Sequence, residues 1–256
     1  MSRNLRWVWI ASVLLIAAFG WLAAPYDPYA TSVAPASQVP GPLLLGSDTL
    51  GRDLFSRILH GGPLTLMTGM AAGLIAWLLG GIIGLAEAAS ANIRPFAAAF
   101  SGALLALPVF LIALTILTAL GSSLSTATIA AGIAQAGIAS QVWRGVVESQ
   151  LKEPYIDGSV ALGAGRLHIV WFHILPNVLP ILLAYCLTLF AQSVLLISGL
   201  TFLGFGGEPA SPDWGNLLAE GRRAIRFAPW IVLAPAFCLI LVTSALNIAA
   251  RLINRR

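Results

Sequence analysis

Residue types that carry covalent or metal chemistry are few in this chain, and their spacing argues against most such chemistry. His60, His168 and His173 are scattered and cannot share one metal on the topology that the charge pattern gives. Cys186 and Cys238 both lie in apolar runs, without the spacing of a zinc site or a disulfide framework. They read as buried small hydrophobes. No GxxxxGK[ST] phosphate loop occurs, so the chain itself is expected to bind no ATP. The expectation is no catalytic residue, no metal and no cofactor.

Three polar segments remain. The first, 25–60, ends in Asp48, Arg52, Asp53 and Arg57. Each acid stands four residues before a base, the favourable order on a helix. Leu50, Leu54 and Ile58 share the other face of such a helix, which is expected to lie at the membrane surface. The third segment, 208–226, is dense in turn formers and then offers Glu220 and Arg223 as an i, i+3 pair.

The second segment, 144–173, is the most informative. Glu153-Pro154 reads as a helix start, with proline at the first helical position. Asp157 sits near the positive end of that helix. Gly163 and Gly165 bracket a break. Leu167, Val170, Trp171 and Ile174 then form a one-sided apolar stripe, which Pro176 is expected to close. Helix, glycine elbow and helix could be set into a partner's groove. They could equally rest on the lipid surface.

The elements that position these segments follow from composition. Of 256 residues, 58% are hydrophobic and 9% charged, against roughly a quarter charged in soluble domains. A water-soluble globule and intrinsic disorder are both excluded. The net charge of +4 is not concentrated in one basic tract, so nucleic acid is not an expected partner. Charge-free gaps set six expected spans at 7–24, 64–88, 96–120, 124–142, 176–203 and 229–250. Each can supply most of the roughly 20 apolar residues that a crossing needs, and lipid admits such runs only as helices. Pro25 after Ala23-Ala24 favours a retained first span over a cleaved signal. With the N-terminus inside, the inner side holds Arg3, Arg6, Arg94, Arg144, Lys152, Arg166, Arg251, Arg255 and Arg256 against Arg52, Arg57, Arg222, Arg223 and Arg226 outside, a basic excess that favours both termini in the cytoplasm. No span interior carries an ionisable residue, which argues against a self-sufficient ion-coupled carrier.

At this point the residues resemble a known family. Tyr155–Arg166 followed by His173-Ile-Leu-Pro-Asn177 looks like the EAA loop of the inner-membrane permease subunits of ABC importers. Leu45–Arg57 is similar to the GTDxxGRDxxSR pattern of the peptide/nickel subfamily. Leu200–Gly206 with Pro212–Asn216 is similar to its LSFLGLG…PxWGN pattern, and all three stand in the family's order over residues 25–250. The arrangement resembles the C-type permease of dipeptide, oligopeptide and nickel importers.

The resemblance implies an all-α membrane protein with six transmembrane helices and the fold of a type I ABC importer permease. It implies residues 1–62 as an N-terminal helix with an extracytoplasmic segment, and 63–256 as the permease domain. Its implied partners are a homologous B-type permease, two ATP-binding subunits carrying ATP and Mg, an extracytoplasmic solute-binding protein, and membrane lipid. The implied location is a bacterial or archaeal cytoplasmic membrane. ATPase coupling then falls to Glu153, Tyr155, Asp157, Gly158, Ala161, Leu162, Gly163, Ala164 and Arg166. Arg166 is placed to meet an ATPase acid or a lipid phosphate. Gln192, Ser193 and Ser198 are candidates for the translocation path, although such mild polar groups more often join helices. Asp157-Gly158-Ser159 stands where the family has Glu-Ala-Ala. Ala99 and Gly102 replace a common Arg and Asp before Pro108. The rival readings are a lone carrier or channel, and a membrane scaffold without transport.

Overall fold

The computed structural model describes residues 3–89, 92–165, 168–206 and 208–254, which are helical apart from turns, loops and one isolated bridge. Helix α1 (Arg3–Phe19) ends in a short 3-10 turn, Gly20–Ala23. Then come α2 (Leu54–Ala89), α3 (Arg94–Leu105), α4 (Val109–Leu120) and α5 (Leu124–Gln150). A short α6 (Pro154–Ala161) precedes a π-helical turn, Ile169–Ile174, that runs into α7 (Leu175–Phe202). The short α8 (Trp214–Gly221) and the long α9 (Trp230–Asn254) complete the described chain.

Four helical stretches are long and apolar enough to cross a membrane, and α3 with α4 makes a fifth if that bent pair is one span. The expected third span is thus broken: α3 and α4 meet at 91°. Pro108 explains the break, because it is extended (ψ 134) and cannot continue the helix of α3. The expected fourth span is α5, whose composition does not place it with the apolar helices. At about 1.5 Å per residue its 27 residues are ample for a bilayer core. Its Ala, Gly, Ser and Gln side chains lower its hydropathy because they face protein. Ala127, Ala130, Ala131, Ala134, Ala136 and Ala139 are all buried.

Small residues set the spacing around α5. A Cβ on Gly80 of α2 would stand 2.4 Å from that of Ala139, so only glycine lets the backbones approach this closely. Trp77 of α2 meets Trp143 of α5 edge-on at 4.9 Å and donates its indole N–H to the Leu182 carbonyl of α7 at 2.8 Å. Ile10 of α1 packs on Ala245 and Ala249 of α9, so the first and last helices run side by side.

Helix α2 begins at Leu54, ten residues before the expected span, and runs through Pro63. The expected surface helix over Asp48–Arg57 is not there. Residues 47–53 form a tight turn closed by an antiparallel bridge between Ser47 and Asp53. Leu54 and Ile58 are buried within the bundle rather than lying on the membrane surface, while Leu50 points outward and does not share their face.

Candidate functional site: a presented helix and a buried charge cluster

Helix α6 is built to be held at one point and shown everywhere else. Glu153 is extended (ψ 139), and Pro154 supplies the fixed φ of the first turn. Asp157 lies in that first turn, where its charge favours the helix. Ile156 alone is buried, in a cluster with Trp143, Val147, Ile169, Ile174 and Val178. Glu153, Tyr155, Asp157, Gly158, Ala161 and Gly163 are exposed, and Leu162 is 90% exposed. Ala164 is half-buried against the Ile156 cluster.

Gly163 ends the helix at φ +84, a conformation that costs side-chain-bearing residues. Its N–H donates to the Val160 carbonyl at 2.9 Å, and the Ala164 N–H to that of Ser159 at 3.1 Å. No atom would stand within 4 Å of a Cβ on Gly158 or Gly163. Arg166 and Leu167 lie outside the described residues.

Tyr155 ties α6 to both long helices. Its hydroxyl donates to Gln150 Oε1 of α5 at 3.0 Å and accepts from Asn177 Nδ2 of α7 at 3.4 Å. The second helix of the loop departs from the expected stripe. Val170 and Ile174 are buried, but Trp171 is exposed and Ile169 takes its place. The cause is the π-helical turn, whose extra residue per turn shifts which residues share a face. Pro176 does not close the segment. It stands in the first turn of α7, directly after the π-helical turn, where its missing N–H is tolerated. Beside the loop, Arg144 of α5 donates to Glu87 of α2 at 2.7 Å, with Glu87 buried.

The end opposite α6 holds a second constellation. Arg52 Nε donates to Asp48 Oδ2 at 2.6 Å, as their spacing suggested, although within a turn. Asp53 does not pair with Arg57. It caps α2, accepting from the N–H and hydroxyl of Ser56 at 2.8 and 2.6 Å. Arg57 instead reaches Asp48 at 2.7 Å and also Glu220. Glu220 pairs with Arg52 and Arg57, not with Arg223. Asp48, Arg52 and Arg57 are buried, so each needs a partner more than a surface pair would.

Helix α8 is seated by its own first turn. Asp213 caps it, accepting from the Asn216 N–H at 3.1 Å. Burial pushes the Asp213 carboxyl above its usual range, partly opposed by hydrogen bonds from Asn216, Thr201, Ser211 and Gly215. Trp214 donates its indole N–H to the Ile58 carbonyl of α2 at 3.0 Å.

The three candidates on α7 are placed differently. Ser193 is buried and accepts from Gln135 Nε2 of α5 at 2.8 Å, a helix-to-helix bond. Ser198 is buried near the far end of α7, and Gln192 is exposed. Sequence reasoning missed Glu87 with Arg144 and Glu220 with Arg57, since nothing local marks partners so far apart in the chain.

A helical membrane bundle with a short presented helix between two long ones is the architecture of a type I ABC importer permease. A chain of the MetNI methionine ABC transporter, in inward-facing conformations, aligns with TM-score 0.66 and 16% identity over 78% of this chain and 95% of that one. The chain belongs to the family described as binding-protein-dependent transport system inner membrane component, which matches residues 76–256. The di/tripeptide transport system permease protein DppC of Pseudomonas aeruginosa is 33% identical over 92% of this chain and 80% of its own. The dipeptide transport system permease protein DppC of Alkalihalophilus pseudofirmus is 34% identical over 93% and 79%. A putative peptide transport system permease protein of Brucella suis is 34% identical over 92% and 81%. This is therefore a multi-pass inner-membrane permease component of an ABC importer. Such a component works with ATPase and binding-protein partners.

Proposed function

We propose that the chain is one of two permease halves of an ATP-driven importer for peptides, nickel or a related small solute. The other half is a homologous permease, and two ATP-binding subunits, holding ATP and Mg, sit beneath the pair. Both termini and α6 face the cytoplasm, and the Asp48–Glu220 cluster faces the solute-binding protein. The observation that carries the reading is α6 itself: one buried anchor, Ile156, and an otherwise exposed surface. A helix presented in this way fits a groove on another protein. The peptide permease relatives support the solute class.

The mechanism follows from how α6 is held. Closure of the ATPases moves the exposed face of α6 and the exposed Leu162 and Gly163 that follow it. Ile156 and the Tyr155 hydroxyl pass that movement to α5 and α7 together. Those helices then rock as a body, opening the path to one side and closing it to the other. Because the work arrives through the loop, the spans need no intramembrane charge for coupling.

The test is affinity co-purification of the chain in mild detergent from its native membrane, with mass spectrometry of the proteins retained. A second permease and ATP-binding subunits are expected. A monodisperse chain recovered alone moves the reading to a lone carrier or a scaffold.

A further inference from the structure

We propose that the groove between α5, α7 and α9, at the α6 end, is this chain's wall of a water-filled solute path, lined by Tyr185, Thr188, Asn247 and Arg251, continued along α7 by Gln192, and closed on its open side by the second permease. This rests on the importer reading and deepens it by naming the face and the residues. Ser193 and Ser198 take no part in that wall, because both are buried inside the bundle.

Two exposed helix faces make the contrast. On α2 the exposed large side chains are Met67, Met70, Leu74, Leu78 and Ile82, at helical spacing and all apolar. Hydrocarbon suits that face. On α7, Leu179 and Leu183 form one exposed face of the same kind. The other face runs Ile181, Tyr185, Thr188, Gln192 and Leu195 at steps of four, three, four and three. Gln192 there is exposed, and Tyr185 and Thr188 are half-buried.

Among the described residues, the side chains of Tyr185, Thr188 and Gln192 make no hydrogen bond within the chain. Lipid offers them no partner, and polar groups in spans face cavities or protein. Their donors and acceptors must be met by water or by another chain.

The neighbouring helix repeats the pattern. The exposed face of α9 is apolar at Leu233, Phe237 and Ile240, then turns polar toward Asn247 and Arg251. Arg251, like Arg222, Arg223 and Arg226 at the opposite end, has no acidic partner among the described residues. A cavity of about 400 Å³ lies here, reaching Val142 of α5, Tyr185 and Thr188 of α7, and Asn247 and Arg251 of α9. Neutral hydrogen-bonding groups with one guanidinium at the mouth suit a solute bearing amides and a carboxylate, as a peptide does.

The experiment is thiol accessibility in the assembled complex, in inverted membrane vesicles, on a Cys186→Ala, Cys238→Ala background. The probe is a charged, membrane-impermeant methanethiosulfonate. Thr188→Cys, Gln192→Cys and Asn247→Cys test the groove, and Met70→Cys with Leu74→Cys test the lipid face. A hydrated cysteine ionises and a lipid-facing one does not, so groove positions are expected to react about tenfold faster. Equal, slow reaction at both sets overturns the water-filled groove. Co-purification from the same vesicles scores the importer reading separately. Fast groove reaction without a second permease overturns the closing partner while leaving the groove hydrated.

Discussion

Arg57, one turn into α2, and Glu220, in α8, stand 163 residues apart in sequence and share a charged contact, Arg57 Nη2 donating to Glu220 Oε1 at 3.0 Å. With Asp48 and Arg52 they form two cations and two anions, three of them buried. The cluster clamps the 47–53 turn, the start of α2 and α8 into one cap.

Glu220→Gln keeps the shape of that contact and removes its charge. Arg52 and Arg57 are then left to share Asp48 alone. Breaking a buried pair from one side costs about 3–5 kcal/mol, and Glu220 is one-fifth exposed, so the lower end applies. The expected outcome is a clear fall in the thermal midpoint of the purified protein. Arg223→Ala should leave the midpoint nearly unchanged, because Glu220 does not pair with it. Equal effects from the two substitutions contradict the cluster.

Asp213 gives a dependence on pH with a definite sign. Its folded pKa lies above the unfolded value, so the folded state holds the proton more tightly. The stability that this contributes is present below the unfolded pKa, near 4, and is lost as pH rises through the folded pKa. Asp213→Asn keeps a capping oxygen and abolishes the titration. The variant should therefore match the parent in acid and gain on it as pH rises toward neutrality. Thermal midpoints from pH 4 to 8 check this, and a variant that loses ground toward neutrality reverses the sign.

The helical positions were largely legible from gaps between charges, because lipid tolerates few alternatives to a helix. The start of α6 was legible too, since Glu153, Pro154 and Asp157 carry local signals. Partnerships were not. Asp48–Arg52 and Asp53–Arg57 have the same spacing, yet one became an ion pair and the other a helix cap. What separated them was the position of Glu220, set by tertiary contact. The stripe of 167–174 failed for another reason. It assumed α-helical pitch, and one π-helical turn rotates the register so that Trp171 faces out.

Ser193→Ala tests whether the small polar groups inside the bundle hold helices together. The substitution removes the acceptor of Gln135 at 2.8 Å, while Gln135 keeps its bond to the Ala131 carbonyl at 3.1 Å. Bonds of this kind within membranes are worth about 0.6–2 kcal/mol. A small drop in midpoint with undiminished uptake is expected. Loss of uptake with unchanged stability would put Ser193 on the solute path instead.

The presented helix gives the sharpest contrast, since two of its glycines should respond in opposite ways. Gly158 lies inside α6 with open space around a Cβ, so Gly158→Ala meets no clash. It should favour the helix by about 1 kcal/mol. ATPase stimulation in the assembled complex should hold or rise. Gly163→Leu also meets open space, but the backbone there is at φ +84. A left-handed conformation costs a side-chain-bearing residue about 1–2 kcal/mol, so the elbow should unwind or shift. Because the elbow lies outside the anchored cluster, the fold should survive while α6 loses its angle to Ile156 and Tyr155. Uptake and ATPase stimulation should both fall, with the thermal midpoint almost unmoved. Undiminished uptake in Gly163→Leu removes the coupling role from the elbow, whatever Gly158→Ala does.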